Sequence, residues 1–166
     1  MSKSEEKNKP HPFYSKGLNF TCQRCSSCCG KAPGFVYLSK RDLTELKNHF
    51  HLSTEDFVKT YCRWANYYGG STVLALIEKK NYDCILWNEG CTAYPARPIQ
   101  CQTYPFWTWM TDSKESWEEC AADCPGMNRG QHWEREHIES ERKRYSENEP
   151  VTKEEVEEII QKEREK

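Results

Sequence analysis

Four cysteines lie within eight consecutive residues near the start of the chain, at Cys22, Cys25, Cys28 and Cys29. Two intervening residues allow a chain to turn and present both flanking thiolates to one ion, as zinc knuckles and iron–sulfur loops do. The adjacent pair is more restrictive, because neighbouring side chains of an extended backbone point to opposite sides. Cys28 and Cys29 can therefore face one ion only across a tight bend, and otherwise they serve two centres or bridge them. The spacing predicts metal binding, and the alternative is that Cys29 is a small buried apolar side chain.

The composition indicates one small domain with a thin apolar core. The chain has 166 residues, of which 36% are hydrophobic, and its mean hydropathy is -0.98. A domain with so little apolar surface to bury often depends on a bound metal, whose binding energy then contributes to folding. The net charge of -2 gives no support for a basic nucleic-acid surface, so we expect no nucleic-acid partner.

The ten cysteines would form disulfides in an oxidising compartment, so the expected compartment decides their chemistry. The segment from Met1 to Pro10 is charged and has no apolar run, unlike a secretory signal peptide. No later stretch is long and apolar enough to cross a bilayer, so we expect no membrane partner. We therefore expect a cytoplasmic protein whose clustered, reduced cysteines bind metal, with disulfides as the lesser alternative.

The chain carries two clear helix starts and several short extended segments. Ser39 with Asp42, and Ser53 with Asp56, each place an N-cap residue three positions before an acidic residue, which predicts two helices. Short β-branched, aromatic and apolar runs predict strands, and two such runs that flank a polar turn predict a hairpin. The predicted strands are 18–21, 35–38, the hairpin formed by 72–77 and 82–87, and a short strand near Trp117 that carries Cys120.

The composition changes where the cysteines stop. In the last segment Thr152 with Glu155 forms a capping box, and Val156, Ile159 and Ile160 form one narrow apolar stripe. We expect this segment to pack loosely on the domain or to dock on a partner. The predicted organisation is a disordered tail at 1–12, a cysteine-cluster metal-binding domain at 13–127 and a charged helical tail at 128–166. The predicted fold class is α+β: a small irregular metal-stabilised domain with short strands, two helices in its N-terminal half and a C-terminal helical tail.

A series of short motifs in a fixed order carries a resemblance to a known family. The motifs are Cys22-x-x-Cys25-x-x-Cys28-Cys29, Cys84-Ile85-Leu86, Cys91-Thr92-Ala93-Tyr94, Arg97-Pro98-Ile99-Gln100-Cys101, Tyr104-Pro105-Phe106 and Cys124-Pro125-Gly126. Together they resemble the CxxCxxCC proteins, the YkgJ-type cysteine-cluster family described as zinc- or iron-chelating domains, over about Phe20 to Gly126. The resemblance implies eight ligands, enough for up to two four-ligand sites: Cys22, Cys25, Cys28, Cys29, Cys84, Cys91, Cys101 and Cys124.

The remaining cysteines, Cys62 and Cys120, fall outside this implied set, and we expect both to be bystanders. The chain departs from the family pattern at Ser26, where the family usually has glycine, and at Gln102, where an arginine commonly follows the cysteine. Arg97 has two interpretations. Its guanidinium hydrogen-bonds thiolate sulfurs and offsets their charge, or it pairs with a surface carboxylate and fixes the loop.

Thiolates alone suit both zinc and iron–sulfur clusters. Three cysteines at two-residue spacing with a distant Cys-Pro are similar to a ferredoxin loop, and Cys120-x-x-x-Cys124-Pro125 is similar to its closing half. Zinc sites more often show two separate close pairs. The spacing therefore slightly favours a [4Fe–4S]-type cluster, with zinc as the alternative.

Three functions are compatible with these residues. The first is a small metal- or cluster-binding protein with a structural, redox or metal-sensing role. No glycine-rich phosphate loop, Ser-His-Asp ordering or His-Glu-x-x-His motif is present, which favours a protein that is not an enzyme on its own. As a second function, the resemblance implies a relation to the S-adenosylmethionine-dependent flagellin lysine N-methylases, which carry a similar cysteine domain. The third is an interaction adaptor built on structural zinc, with the aromatic patch 104–109 or the C-terminal helix as its docking face.

Overall fold

A computed structural model describes residues 11–30 and 33–165 of the protein. Within these residues the fold is α+β with six helices and four short strands, which confirms the predicted fold class. The helices are α1 (Lys40–His49), α2 (Thr54–Tyr61), α3 (Ile99–Gln102), α4 (Lys114–Asp123), α5 (Arg135–Ser146) and α6 (Lys153–Arg164). The strands are β1 (Leu18–Phe20), β2 (Cys62–Asn66), β3 (Thr72–Leu76) and β4 (Met127–Trp133). The predicted disordered tail at 1–12 lies, as far as residue 10, outside the described residues.

Helices α1 and α2 begin where the N-cap signals predict. The Ser39 hydroxyl accepts a hydrogen bond from Asp42 N, and the Asp42 carboxylate accepts one from Ser39 N, which completes a capping box. The Ser53 hydroxyl accepts from Asp56 N at 3.0 Å. Each helix buries one face, with Phe57 of α2 fully enclosed. In the described part of the chain no helix is both long and apolar enough to span a membrane.

The hairpin of the protein is formed by β2 and β3, which pair antiparallel in unbroken register. Gly69 and Gly70 turn the chain between them at positive φ, a region that glycine adopts without steric cost. The predicted hairpin of 72–77 with 82–87 is reduced to one antiparallel bridge between Glu78 and Cys84, beside which Ile85 N donates to Ile77 O at 2.9 Å. The partner of β3 is the strand that precedes it, because the two-glycine turn joins these strands directly.

The segments 35–38 and 82–87, both predicted as strands, form single bridges only. Tyr37 bridges to β3, and Cys84 bridges back across a tight turn. Neither segment extends into a strand in the structure. The second edge of β3 is divided between Tyr37 and Thr152, each of which makes one bridge to it.

The second sheet pairs β1, the first strand of the described chain, with β4, which precedes the last two helices. Leu18 lies opposite Trp133, and the Trp133 indole Nε1 donates to Phe20 O at 2.8 Å. The predicted extended segment at 18–21 is confirmed over β1. The predicted boundary at 127 falls at the first residue of β4, so the strand that pairs with β1 comes from the segment expected to lie outside the domain.

The predicted short strand near Trp117 is wrong, because Trp117 and Cys120 both lie on α4. Ser113 caps this helix by accepting from Ser116 N at 3.0 Å. Trp117 is 1% exposed, and its Nε1 donates to Asn128 Oδ1 at 2.7 Å. This hydrogen bond ties α4 to β4.

The buried apolar side chains form two separate clusters. The aliphatic core consists of Leu38, Leu43, Leu46, Phe57, Leu74, Leu76, Leu86, Ala93, Val151 and Val156. The aromatic core consists of Tyr14, Phe106, Met110, Trp117, Cys124, Met127 and Ile138. Most of the aromatic patch 104–109 therefore packs inside the protein, although Trp109 is 51% exposed.

The C-terminal segment is part of the packed structure. Val151 and Val156 are buried in the aliphatic core. The Glu163 carboxylate accepts from Thr54 N at 3.0 Å and pairs with Lys47 Nζ at 2.9 Å, which fastens α6 to the first two helices. The expectation of a loosely packed helix is wrong, because its apolar stripe covers the core, and docking of a partner on this helix stays a prediction.

Candidate metal centre

The cysteine loop, residues 22–30, leaves β1 and turns sharply. Ser26 has a φ of 63°, in the left-handed region that favours glycine, which explains the glycine that the family usually has here. Ser27–Cys29 then form a single 3₁₀ turn. This turn places Cys28 Sγ and Cys29 Sγ 3.8 Å apart. The tight bend that an adjacent pair needs to face one ion is therefore present.

The separation of these two sulfurs matches two ligands of one tetrahedral ion. With metal–sulfur bonds of about 2.3 Å, the edge of a tetrahedron of sulfurs is about 3.8 Å. In a [4Fe–4S] cluster, by contrast, four cysteines serve four irons. The Cys28 and Cys29 sulfurs thus already stand at the spacing of a tetrathiolate site.

The end of the cysteine loop is anchored on the next predicted ligand. Cys84 N donates to Cys29 O at 2.7 Å. Gly30 is buried, and a side chain at this position would collide with the Asp83 carboxylate. The hydrogen bond between the two backbones brings Cys84 beside the adjacent cysteines.

Five of the eight predicted ligands come together, and we call them the inner group: Cys28, Cys29, Cys84, Cys91 and Cys101. Burial raises the pKa of Cys101, and the nearby thiols of Cys84, Cys28 and Cys91 raise it further. Burial also raises the pKa of Cys84, and Cys91 and Cys28 add to that increase. The pKa of Cys28 is raised first by its hydrogen bond to Cys29 and then by burial. Crowded thiols of this kind are difficult to ionise together without a cation between them.

Arg97 supplies positive charge to the inner group. Its guanidinium lies 3.9 Å from the centre of the Tyr94 ring, and its charge opposes the raised pKa values of Cys28 and Cys101. Arg97 Nε is buried with no hydrogen-bond partner, and no carboxylate among residues 11–30 and 33–165 forms an ion pair with it. The interpretation in which Arg97 pairs with a surface carboxylate is therefore wrong. A half-buried guanidinium that forms no ion pair and whose charge acts on the thiols of Cys28 and Cys101 fits an anionic thiolate site.

Two further cations, missed by the sequence analysis, face the same region. Arg24 of the cysteine loop lies 5.2 Å from the Tyr94 ring, the ring that also holds Arg97. Lys79 opposes the raised pKa of Cys84 and donates to Trp87 O at 2.8 Å. Tyr94 is part of a family motif, and this is the one sequence signal that could have indicated the role of its ring.

Gln102 stands where the family commonly has arginine. Its Oε1 accepts from Arg144 Nη2 at 2.9 Å, while its amide nitrogen donates to Arg97 O. An arginine here would face Arg144 instead of binding it. Gln102 therefore links the loop that carries Arg97 to α5.

The remaining predicted ligands lie apart from the inner group. Cys22 and Cys25 are exposed, and Cys25 Sγ lies 3.4 Å from Ser27 Oγ. Cys124 is buried in the aromatic core, where the Tyr104 hydroxyl hydrogen-bonds to it. The two cysteines expected to be bystanders differ in setting.

Cys62 packs against the aliphatic core, and burial raises its pKa to about 12. Cys120 is half-buried on α4, one turn before Cys124. All ten cysteines are free thiols. In the described ranges, no three thiol, imidazole or carboxylate groups are already close enough to hold an ion, so an ion would draw the donors together.

Comparisons with known proteins support metal binding by this chain. Residues 21–125 match the model of the CxxCxxCC family, described as "Putative zinc- or iron-chelating domain". The uncharacterized protein MJ0661 of Methanocaldococcus jannaschii is 28% identical over 105 residues, which cover 60% of this chain and 53% of that protein. The chain thus spans about half the length of this relative. No solved structure matches the chain. With the family model covering more than half of its residues, the chain belongs to the CxxCxxCC family of zinc- or iron-chelating domains.

Proposed function

We propose that this protein binds a metal ion through the inner group and that the ion has a structural role. The observation that carries the proposal is the 3.8 Å separation of Cys28 Sγ and Cys29 Sγ, the edge length of a tetrathiolate site. The other donors come from Cys84, Cys91 and Cys101, which lie far from the cysteine loop in sequence. An ion held by these donors would fasten the cysteine loop to the edge of the aliphatic core.

Zinc is the ion that these distances favour. Zinc takes four thiolates in a tetrahedron, and two adjacent cysteines at 3.8 Å can bind to the same ion. A [4Fe–4S] cluster, which the sequence slightly favoured, would need the two sulfurs on different irons. The buried positive charge of Arg97 supports either centre, because both are anionic when bound by four thiolates.

A metal-sensing role is the second candidate, and the number of thiols supports it. The inner group holds five thiols, whereas a tetrahedral ion takes four. The fifth thiol would allow one ligand to replace another when an ion enters or leaves. Since only thiolates bind metal in this way, we also propose a reducing compartment such as the cytoplasm, in line with the ten free cysteines.

The test is anaerobic purification followed by metal analysis and a visible absorption spectrum. We expect a colourless protein with stoichiometric zinc. The double variant Cys28→Ser/Cys101→Ser leaves three inner thiols and should lose the inner ion, whereas Cys62→Ser, which alters a thiol packed on the aliphatic core, should keep it. A brown protein that absorbs near ~400 nm and contains iron would show that the bound group is an iron–sulfur cluster and not zinc. A protein that folds and contains no metal would refute the proposal.

A further inference from the structure

Aromatic rings that belong to neither core lie side by side on the surface next to the β2–β3 hairpin. Phe35 stacks on Tyr37 at a centroid distance of 5.3 Å. The Tyr67 ring contacts Tyr37 at 5.1 Å and Tyr68 at 5.0 Å between ring centroids. Phe35 is 46% exposed and Tyr68 is 87% exposed. Contiguous exposed apolar patches, unlike single exposed rings, mark interaction sites.

A second group of rings, from the segment before α4 and from α5, adjoins the first. Trp107 stacks on Tyr145 at a centroid distance of 5.3 Å and contacts Trp109 at 5.9 Å. Burial raises the pKa of Tyr145, a hydrogen bond from Trp109 lowers it, and the nearby hydroxyls of the three tyrosines in the first group raise it. The tyrosine hydroxyls of both groups therefore lie close together.

Gln100 holds the two groups in place. Its Oε1 accepts from Tyr37 N at 3.1 Å, and its Nε2 donates to Phe35 O at 2.8 Å. Its backbone carbonyl accepts from Trp107 Nε1 at 2.7 Å. The surface is thus formed before any partner arrives, which lowers the entropy that binding costs.

The exposed and half-buried rings of both groups form one surface, which we call the tyrosine face. Its members are Phe35, Tyr37, Tyr67, Tyr68, Trp109 and Tyr145. In the part of the chain that the structure describes, no protein group accepts a hydrogen bond from the hydroxyls of Tyr37, Tyr67 and Tyr68. The tyrosine face therefore offers hydrogen-bond donors beside apolar ring faces.

Arg63 adds a positive charge at the Phe35 end of the tyrosine face. Its guanidinium lies 4.6 Å from the centre of the Phe35 ring, and its Nη2 donates to Gly34 O at 2.8 Å. Its Nε is buried with no hydrogen-bond partner, and among residues 11–30 and 33–165 no carboxylate forms an ion pair with it. An unpaired cation at this end favours a partner with an acidic residue there.

A proline-rich segment in the polyproline II conformation fits these features. Proline has a carbonyl acceptor but no N–H donor, and polyproline II leaves the carbonyls free of internal hydrogen bonds. Such segments bind to aromatic-lined surfaces. A helix, by contrast, has satisfied backbone groups and would bury the tyrosine hydroxyls without acceptors. A nucleic-acid strand would need several cations for its phosphates.

We propose that the tyrosine face binds a proline-rich segment of a partner protein, with an acidic residue of that segment beside Arg63. The tyrosine hydroxyls donate to carbonyls of the segment, and the rings of Tyr68 and Trp109 pack against its prolines. This interaction surface goes beyond the proposed function and does not depend on which ion the inner group binds.

The proposal is tested with synthetic peptides of about ten residues, mostly proline, that span ~31 Å in polyproline II. One peptide carries a glutamate at each end, and the other carries lysines instead. Calorimetry and NMR measure their binding to the full chain. We expect the wild type to bind the glutamate peptide more tightly than the lysine peptide. Arg63→Gln should remove this preference, and Arg63→Lys should keep it.

Tyr68→Ala removes a ring that is 87% exposed, so the fold should be kept. We expect it to weaken binding of the glutamate peptide by about tenfold, as expected for an aromatic anchor. Tyr37→Phe keeps the ring, removes only the hydroxyl, and should weaken binding by about fivefold. Trp64→Ala is the matched control, since this exposed ring lies on the other face of β2 from Arg63. It should bind the peptide like the wild type, with its NMR spectrum reporting the fold.

Three results would overturn the proposal. The first is equal binding of a glycine–serine peptide that carries the same glutamates, and the second is unchanged binding by Tyr68→Ala. The third is a wild type whose Kd for the glutamate peptide exceeds about 1 mM. Binding of a single-stranded oligonucleotide through Tyr68, in place of the peptide, would also overturn it and assign the tyrosine face to nucleic acid.

Discussion

The two cores of this protein are built differently. The aliphatic core gathers leucines and valines from α1, β3 and the start of α6 around Phe57 of α2, and it has Cys84 and Cys91 at its edge. The aromatic core stacks Phe106 on Trp117 at a centroid distance of 6.1 Å and includes Cys124 itself. Each core has a group of thiols beside it, and each is small for a stable domain. The limited apolar content of the chain is thus divided between two small cores.

Removal of the metal is the test with the largest expected effect on both cores. We expect a strong chelator to lower the free energy of unfolding by several kcal/mol, because structural metal sites contribute their binding energy to folding. Thermal unfolding measures the loss, and hydrogen exchange shows in which core it falls. With the double variant Cys28→Ser/Cys101→Ser, the aliphatic core should lose amide protection first. An apoprotein with an unchanged melting temperature would show that the cores are sufficient alone.

Val156→Ala tests how much the aliphatic core depends on α6. Val156 is fully buried, so we expect a loss of about 2 kcal/mol in the free energy of unfolding from lost burial and the cavity left behind. Glu157→Ala, at the next residue, whose side chain is exposed, is the matched control and should change stability by less than about 0.5 kcal/mol. Equal effects of the two substitutions would mean that the C-terminal helix does not support the core. Denaturant unfolding monitored by circular dichroism measures both variants.

Trp117→Phe makes the corresponding test in the aromatic core. The smaller ring keeps an aromatic side chain but leaves Asn128 Oδ1 without the indole donor that lies 2.7 Å away. We expect a loss of about 1–2 kcal/mol, the cost of a lost hydrogen bond with its partner left behind. Trp109→Phe, at a half-exposed position, is the control. A variant as stable as the wild type would indicate that α4 and β4 are held together by packing alone.

Glu163→Gln tests the pH dependence of the contact between α6 and α2. Burial alone would raise the pKa of Glu163, but hydrogen bonds and charge from Lys47 and Thr54 outweigh it and lower the pKa from 4.5 to about 2. A carboxylate with a lowered pKa stabilises the fold above its unfolded pKa, and this contribution is lost as the pH falls through the folded value. We expect the wild type to be more stable than the variant by about 1 kcal/mol at neutral pH, after discounting for solvent screening. The difference should shrink between pH 4.5 and about 2. A difference that is constant over this range would mean that the charge of Glu163 is unimportant.

Ser26→Gly has the smallest expected effect and the opposite sign. Ser26 has a φ of 63°, which costs a residue with a side chain more than it costs glycine. Part of this gain is offset by the greater freedom of glycine in the unfolded chain. We expect the apoprotein to gain about 0.5 kcal/mol and the metal affinity to rise slightly. Ser27→Gly, within the 3₁₀ turn, is the control and should not stabilise the protein. Competition with a metal chelator measures the affinity.

Local signals predicted the helix starts correctly, and non-local pairing explains the errors. Ser39 and Thr152 cap their helices through side-chain contacts with the residue three positions later. Both residue types at this spacing can be read directly from the sequence. The partner of β3 was missed because β2 follows α2 without a loop. The adjacent glycines at 69 and 70 were the signal that could have identified this hairpin.

In the candidate site, too, local motifs were predicted correctly and non-local contacts were not. The motifs identify which cysteines are implied as ligands, but their grouping depends on contacts between distant segments, such as Cys84 N with Cys29 O. The narrow apolar stripe of α6 did not indicate that the helix packs on the core. Val151, which precedes the helix, adds to the apolar surface that the C-terminal segment buries.

The pairing of β1 with β4 also sets an order for events during synthesis. Phe20 and Trp133, which it brings together, lie 113 residues apart. At about 5–20 residues per second, the ribosome needs about 6–23 s to make the chain between them. For most of this interval β1 has no partner strand, and the cysteine loop that follows it lacks the hydrogen bond between Thr21 N and Gly126 O. The nascent chain therefore passes through a stage in which its loop thiols are open to oxidation or to capture of the wrong metal, and only a reducing environment protects them.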